Sequence, residues 1–382
     1  MAMERLFQLM ADKKASDIFL SVGSPINIKI SGVTVPINQQ IMDNAGIQSL
    51  LGEILSERQM QQLDDTCELN IGYPVSGVGS FRISGFKQRG STAVVIRYIP
   101  YDIPALETLN IPPVLGDLVM ERRGLVLMVG ATGCGKTTSL AAMLDYRNEQ
   151  RAGHILTLED PIEFLFKSKK SIVNQREIGH DAKSLQIALK NALRQAPDCI
   201  LIGEIRDRET MTAALAYGQA GHLVLATLHA NNSYHALNRV ISFYPLEQRA
   251  ALLSDLSTSL KAIVSQRLCK AKKGGRVPAC EVMINSRYIA EMIEDGKIDE
   301  IKEGMDKSLA QGSVTFEQSL YKLIREDLIS QEEALVNADS PTNLLWLINN
   351  QGRAEEEKRE AEQRAKQEVE SSPSFKEFTL DV

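Results

Sequence analysis

Residues 130 to 137, Gly130-Ala131-Thr132-Gly133-Cys134-Gly135-Lys136-Thr137, combine three kinds of group in one short run. Glycines let backbone N–H groups turn inward around an anion, an arrangement side chains would obstruct. Lys136 offers a cation to the outer phosphates of a nucleoside triphosphate, and the Thr137 hydroxyl offers an oxygen to Mg²⁺. The spacing fits G-x-x-x-x-G-K-[ST], the phosphate loop of nucleotide triphosphatases. Thr138 continues it into a predicted helix running to Tyr146.

Three further polar sets follow. Glu159-Asp160-Pro161-Ile162-Glu163 places carboxylates where one can orient or deprotonate an attacking water. In Gly203-Glu204-Ile205-Arg206-Asp207, an acid at the end of an apolar run suits Mg²⁺. Gly203 stands where an aspartate is usual, so Glu204 serves alone. Thr227-Leu228-His229 ends the next run, and its imidazole suits contact with a γ-phosphate. Singly, each of these residues also suits a solvated strand end. Their order behind a phosphate loop makes them a set.

Each set needs a strand to carry it. Leu125–Val129, His154–Leu158, Cys199–Gly203 and His222–Thr227 are short apolar runs, as buried parallel strands should be. Helical spacing over 183–194 and 209–217 separates them. The alternation predicts a mainly parallel sheet with helices on both faces, and ligands to such sheets sit at the carboxyl ends of the strands. From Leu246 onward the pattern predicts a helical part. Residues 1–100 predict a separate α+β unit, with an amphipathic first helix, strands near 17–21, 26–32, 79–84 and 93–98, and one helix over 47–63. Pro100, Pro104, Pro112 and Pro113 mark a linker at 101–113. The predicted organisation is thus 1–100, a linker, a nucleotide-binding part at 114–350, and a tail at 351–382.

The tail carries twelve charges in the eighteen positions 353–370. It reads as a solvated helix with almost nothing to bury, or as a handle for a partner. A net charge of −6 argues against a chain that coats nucleic acid. A DNA motor would need basic and aromatic pore loops, and no arginine-rich stripe is evident. The five cysteines form no C-x-x-C, so neither a zinc knuckle nor a disulfide framework is indicated and a reducing cytoplasm is expected. No apolar run approaches the ~18 residues of a membrane span.

The chain resembles the secretion ATPase superfamily and, within it, the type IV pilus retraction ATPases of the PilT/PilU group. The resemblance is carried by Ala15-Ser16-Asp17-Ile18, the phosphate loop, the aspartate box Leu158–Phe164, the Walker B segment Ile202–Asp207 and the histidine box Gly221–His229. It runs from about residue 1 to 345. It implies a PAS-like N-terminal domain, a RecA-like ATPase domain, ATP and Mg²⁺ as cofactors, and a homo-hexamer. It implies Glu163 as catalytic base, Glu204 as the Mg²⁺-organising acid and His229 as γ-phosphate contact. Arg82 and Arg97 stand where the family carries arginines that reach the nucleotide from the N-terminal domain; as bare residues they equally suit surface charges on strands. PilT-like members carry an Ala-Ile-Arg helix after a Glu-Ile-Met-Ile strand. Here Glu281-Val282-Met283-Ile284 is followed by Arg287-Tyr288-Ile289-Ala290-Glu291-Met292, without that triplet. This departure and the extra tail resemble the accessory, PilU-like branch. The partners implied are PilT and an inner-membrane pilus platform protein at the cytoplasmic face, with no nucleic acid. A low-turnover regulatory subunit is the remaining alternative, and intact Lys136, Glu163 and Glu204 count against it.

Overall fold

The computed structural model describes residues 2–30, 32–99, 102–307 and 310–350. The charged tail 351–382 lies outside the described residues, as do Pro100 and Tyr101 at the start of the expected linker.

The chain opens with helix α1 (Ala2–Lys13), which buries Met3, Phe7 and Met10, a spacing that puts all three on one face. Strands β1 (Asp17–Leu20), β2 (Asn27–Ile30) and β3 (Val33–Pro36) follow, then helices α2 (Asn44–Gly52) and α3 (Glu57–Thr66). Strands β4 (Glu68–Val75), β5 (Gly79–Gln88) and β6 (Ser91–Ile99) complete a six-stranded sheet in the order β3-β2-β1-β6-β5-β4. Every neighbouring pair in it is antiparallel.

The single helix expected over 47–63 is two helices. Ser56 starts the second with a capping box: its backbone N–H donates to Gln59 Oε1 at 2.9 Å, and its hydroxyl accepts from the Gln59 N–H at 3.4 Å. That local cap outweighs the continuous apolar spacing.

Register brings one rank of residues into line across this sheet. Lys29 on β2 stands opposite Asp17 on β1, Asp17 opposite Arg97 on β6, Arg97 opposite Arg82 on β5, and Arg82 opposite Gly72 on β4. Residues paired this way share a face. A Cβ on Gly72 would come within 3.3 Å of Glu177 Oε2, so the far end of the rank abuts the second sheet.

The rest of the described chain starts with α4 (Val114–Met120), β7 (Gly124–Val129), α5 (Lys136–Gln150), β8 (Gly153–Glu159) and β9 (Ser171–Glu177). Next come α6 (Leu185–Ala192), β10 (Cys199–Ile202), α7 (Arg208–Gln219), β11 (Leu223–Leu228), α8 (Ser233–Ser242) and α9 (Arg249–Ser259). Then follow β12 (Leu260–Lys270), β13 (Arg276–Ile284), α10 (Arg287–Glu294), α11 (Ile301–Lys307), α12 (Phe316–Arg325) and α13 (Gln331–Asn337). The seven strands lie in the order β13-β12-β7-β11-β10-β8-β9, all parallel except β13 at the edge. Side chains of β7 alternate between two cores, Leu125, Leu127 and Val129 on one face and Val126 and Met128 on the other. Helices therefore cover both faces, as a parallel sheet requires.

The part after Leu246 carries helices α9 to α13, as expected, and also two strands that join the sheet. β12 pairs in parallel with β7, and β13 pairs with β12. Polar Ser265 and Gln266 interrupt the apolar run of β12, yet both are buried and hydrogen-bonded, so the strand carries no surface alternation to betray it. β9 also went unread, because its residues are mostly polar.

Candidate nucleotide-hydrolysis site

The phosphate loop joins β7 to α5. Gly130, Gly133 and Gly135 adopt φ of 148°, 77° and 91°, conformations that side chains rarely take. A Cβ on Gly130 would also lie 2.6 Å from the Gln266 carbonyl oxygen, and one on Gly135 2.7 Å from Gln266 Nε2. Gln266, on β12, thus closes the back of the loop. Its amide donates to the Cys134 carbonyl at 2.8 Å, and its Oε1 accepts from the Ser139 hydroxyl at 2.8 Å. Sequence reasoning missed Gln266. Cys134 is buried behind the loop, while Thr132, Gly133, Gly135, Lys136, Thr137 and Thr138 line the cleft in front. The Lys136 ammonium donates to the carbonyls of Gly130 at 2.8 Å and Ala131 at 2.9 Å. The N-terminus of α5 faces the same cleft, so its free N–H groups and dipole favour an anion there.

The cleft has a volume of about 710 Å³ and also receives Glu163, Glu204, His229 and Arg97. Both glutamates of the aspartate box line the cleft, at different depths of burial. Glu159 is buried; it accepts from Thr157 Oγ1 at 2.6 Å and from Gln175 Nε2 at 3.2 Å. Burial pushes its pKa above the ordinary 4.5, against the opposing pull of those hydrogen bonds. Glu163 lines the cleft, on a loop tied to β9. Gln175 donates to the Phe164 carbonyl at 2.7 Å and accepts from the Phe166 N–H at 2.9 Å, and Glu177 accepts from the Ile162 N–H at 3.2 Å.

Glu204 follows β10. Arg206 donates to its Oε2 from Nε at 2.8 Å and from Nη2 at 2.7 Å, and His229 Nε2 lies 3.3 Å from its Oε1. The pairing with Glu204 raises the Arg206 pKa. Gly203 is packed so closely that a Cβ would lie 3.1 Å from the Leu158 carbonyl oxygen, which leaves little room for an aspartate there. His229 follows β11, which pairs with β10, and this adjacency brings it to Glu204. Arg97 lines the cleft from β6. Arg82 stands beside it on β5 and is not among the cleft-lining residues.

A parallel sheet ending in a phosphate loop, with acids and a histidine at the carboxyl ends of neighbouring strands, defines a RecA-like P-loop nucleoside triphosphatase. Comparison with known proteins narrows the class. The model of the Type II/IV secretion system protein family matches residues 3–339. The type IV pilus ATPase PilU of Pseudomonas aeruginosa is 43% identical over 349 residues, covering 91% of each chain. PilT of the same organism is 38% identical, covering 90% of this chain and all of that one. A crystal structure of the pilus retraction motor PilT with bound ADP superposes with a TM-score of 0.83 at 38% identity, covering 89% of this chain and 97% of that chain. The chain therefore belongs to the Type II/IV secretion system protein family, in its PilT/PilU group of retraction ATPases.

Proposed function

We propose that this protein is a motor subunit that hydrolyses ATP and turns the energy into type IV pilus retraction, in the accessory role of a PilU. The observation that carries the reading is convergence: Lys136, Glu163, Glu204, His229 and Arg97, from separate stretches of chain, meet at one cleft. Similarity to PilU and PilT supplies the biological setting.

The division of labour follows from placement. The loop amides and Lys136 bind the β- and γ-phosphates. Glu163 orients and deprotonates the attacking water, an aim kept by the β9 hydrogen bonds that hold its loop. His229 contacts the γ-phosphate and, through Glu204, senses its loss. Arg97 offers positive charge from the N-terminal sheet. The hydroxyl of Thr137 and the carboxylate of Glu204 are hard oxygen donors beside a glycine cradle that a Cβ would fill, a set that fits Mg²⁺. When bound there, Mg²⁺ supplies neutralisation of phosphate charge.

The proposed assembly is a homo-hexamer at the cytoplasmic face of the inner membrane, acting with PilT on a pilus platform protein. Membrane contact runs through those partners; no described helix is long and apolar enough to cross a membrane.

Two measurements test the reading. Lys136→Ala and Glu204→Ala in the purified full chain should each lower steady-state phosphate release at least about a hundredfold, roughly 2.7 kcal/mol of barrier. Release at the wild-type rate would refute the chemistry. In cells, retraction events counted after loss of this chain, and separately of PilT, test the setting. Unchanged retraction counts without this chain, under load and without it, would remove the motor role.

A further inference from the structure

The motif Ala15-Ser16-Asp17-Ile18 carries part of the family resemblance but has no place so far in the chemistry. We propose that Asp17 is a positioning residue for the cleft arginine Arg97, a step that rests on the reading of Arg97 as a nucleotide contact.

Asp17 opens β1 and is only 5% exposed. Its Oδ2 accepts from the Ser16 hydroxyl at 2.8 Å, and its Oδ1 accepts from Arg97 Nε at 2.9 Å. One oxygen is thus pinned by its own chain neighbour, and the other holds the arginine. The contact uses Nε, at the inner edge of the guanidinium. The two terminal nitrogens, with their four N–H donors, stay available to an anion. The Arg97 side chain is 62% exposed and lines the cleft.

Without a tie, a long exposed arginine samples many rotamers, and fixing it at the moment of reaction costs about 2 kcal/mol of entropy. Arg82 stands directly opposite Arg97 with like charge, which would splay the two apart. Asp17 lies on the other flank of Arg97, directly opposite on β1, and offsets that repulsion. A buried carboxylate anchored to rigid sheet therefore sets where the guanidinium points. Ser16 serves the same end by holding the carboxylate.

The test is a double-mutant cycle in the full chain, with ATPase kinetics, binding of a fluorescent ATP analogue and thermal melting. Asp17→Asn preserves shape and removes the charge. It should lower kcat about 10- to 100-fold, the scale for a misplaced group, with KM within about twofold. Arg97→Ala should cost about 10³ in kcat. The double variant should be no slower than Arg97→Ala alone, because Asp17 acts only through Arg97. Ser16→Ala should shift kcat in the same direction by a smaller factor. Normal kcat in Asp17→Asn, or a double variant showing the product of both losses, would overturn the proposal. A lowered melting temperature with unchanged kcat would assign Asp17 to stability alone and also overturn it. Wild-type kcat in Arg97→Ala would instead defeat the underlying reading of Arg97, and is identified by that single variant.

Discussion

Gln266 on β12 donates its side-chain amide to the carbonyl of Cys134 in the phosphate loop, at 2.8 Å. The same side chain accepts from Ser139 in the first turn of α5. A neighbouring strand thus braces both the loop and the helix that follows it. Lys136 can only meet a phosphate chain productively if this frame holds.

Gln266→Leu keeps the bulk and leaves the Cys134 carbonyl and Ser139 hydroxyl without partners. Each buried orphan costs about 1–3 kcal/mol. The expected outcome is a lower melting temperature together with about tenfold weaker ADP binding, read by calorimetric titration. A variant that melts lower yet binds ADP normally would limit Gln266 to fold stability.

Glu163→Gln separates base from binder. The amide cannot take a proton, while the loop tethers from Gln175 and Glu177 remain. ATP affinity should stay within about threefold and turnover should fall about 10²- to 10⁴-fold. Binding lost with normal turnover per bound site would sink the assignment.

Arg97 belongs to the N-terminal sheet and lines the cleft from there. We expect its contact with nucleotide to tighten on closure of that sheet on the ATPase part, within the proposed ring. Light scattering and turnover across a dilution series should show activity falling as the oligomer dissociates. Full activity in a monomer would show that no ring is required.

Glu281 on β13 is buried and accepts from the Ser233 N–H at 2.7 Å, the Ser233 hydroxyl at 2.6 Å and the Ser265 hydroxyl at 3.2 Å. Burial raises its pKa from the ordinary 4.5, as it does for Glu159. With the folded value above the unfolded one, the unfolded chain loses its proton first as pH rises. This contribution to stability is therefore complete below 4.5 and is lost upward through the raised folded pKa. Glu281→Gln keeps an oxygen acceptor and removes the titration. Its melting temperature should gain on wild type as pH rises above 4.5, with Glu159 leaving a residual slope. A difference between variant and wild type that does not change with pH would contradict this.

The phosphate loop could be read before any fold was known, because its work is local: eight consecutive residues carry the turn, the cation and the hydroxyl. The aspartate box, Glu204 and His229 could be placed because each follows its own apolar strand, and parallel strands in a covered sheet bring their carboxyl ends to one edge. The choice of Glu163 within the box came from the family resemblance. Family membership was legible for the same reason, since the boxes are short and ordered along the chain. Other features depend on groups remote in sequence and were decided only by tertiary structure. β12 looked like part of a helical region until pairing with β7 buried its polar residues, and only that pairing brings Gln266 to Cys134. Glu159 and Glu163 share one motif and both line the cleft, yet Glu159 is buried and tied to Thr157 and Gln175 while Glu163 is more open. Arg82 and Arg97 read alike as strand arginines. Register sets Asp17 beside Arg97 alone, and that hydrogen bond, eighty positions apart in sequence, distinguishes them. Sequence carries what neighbours in the chain can do for each other; charge, burial and reach across strands exist only once the sheets have formed.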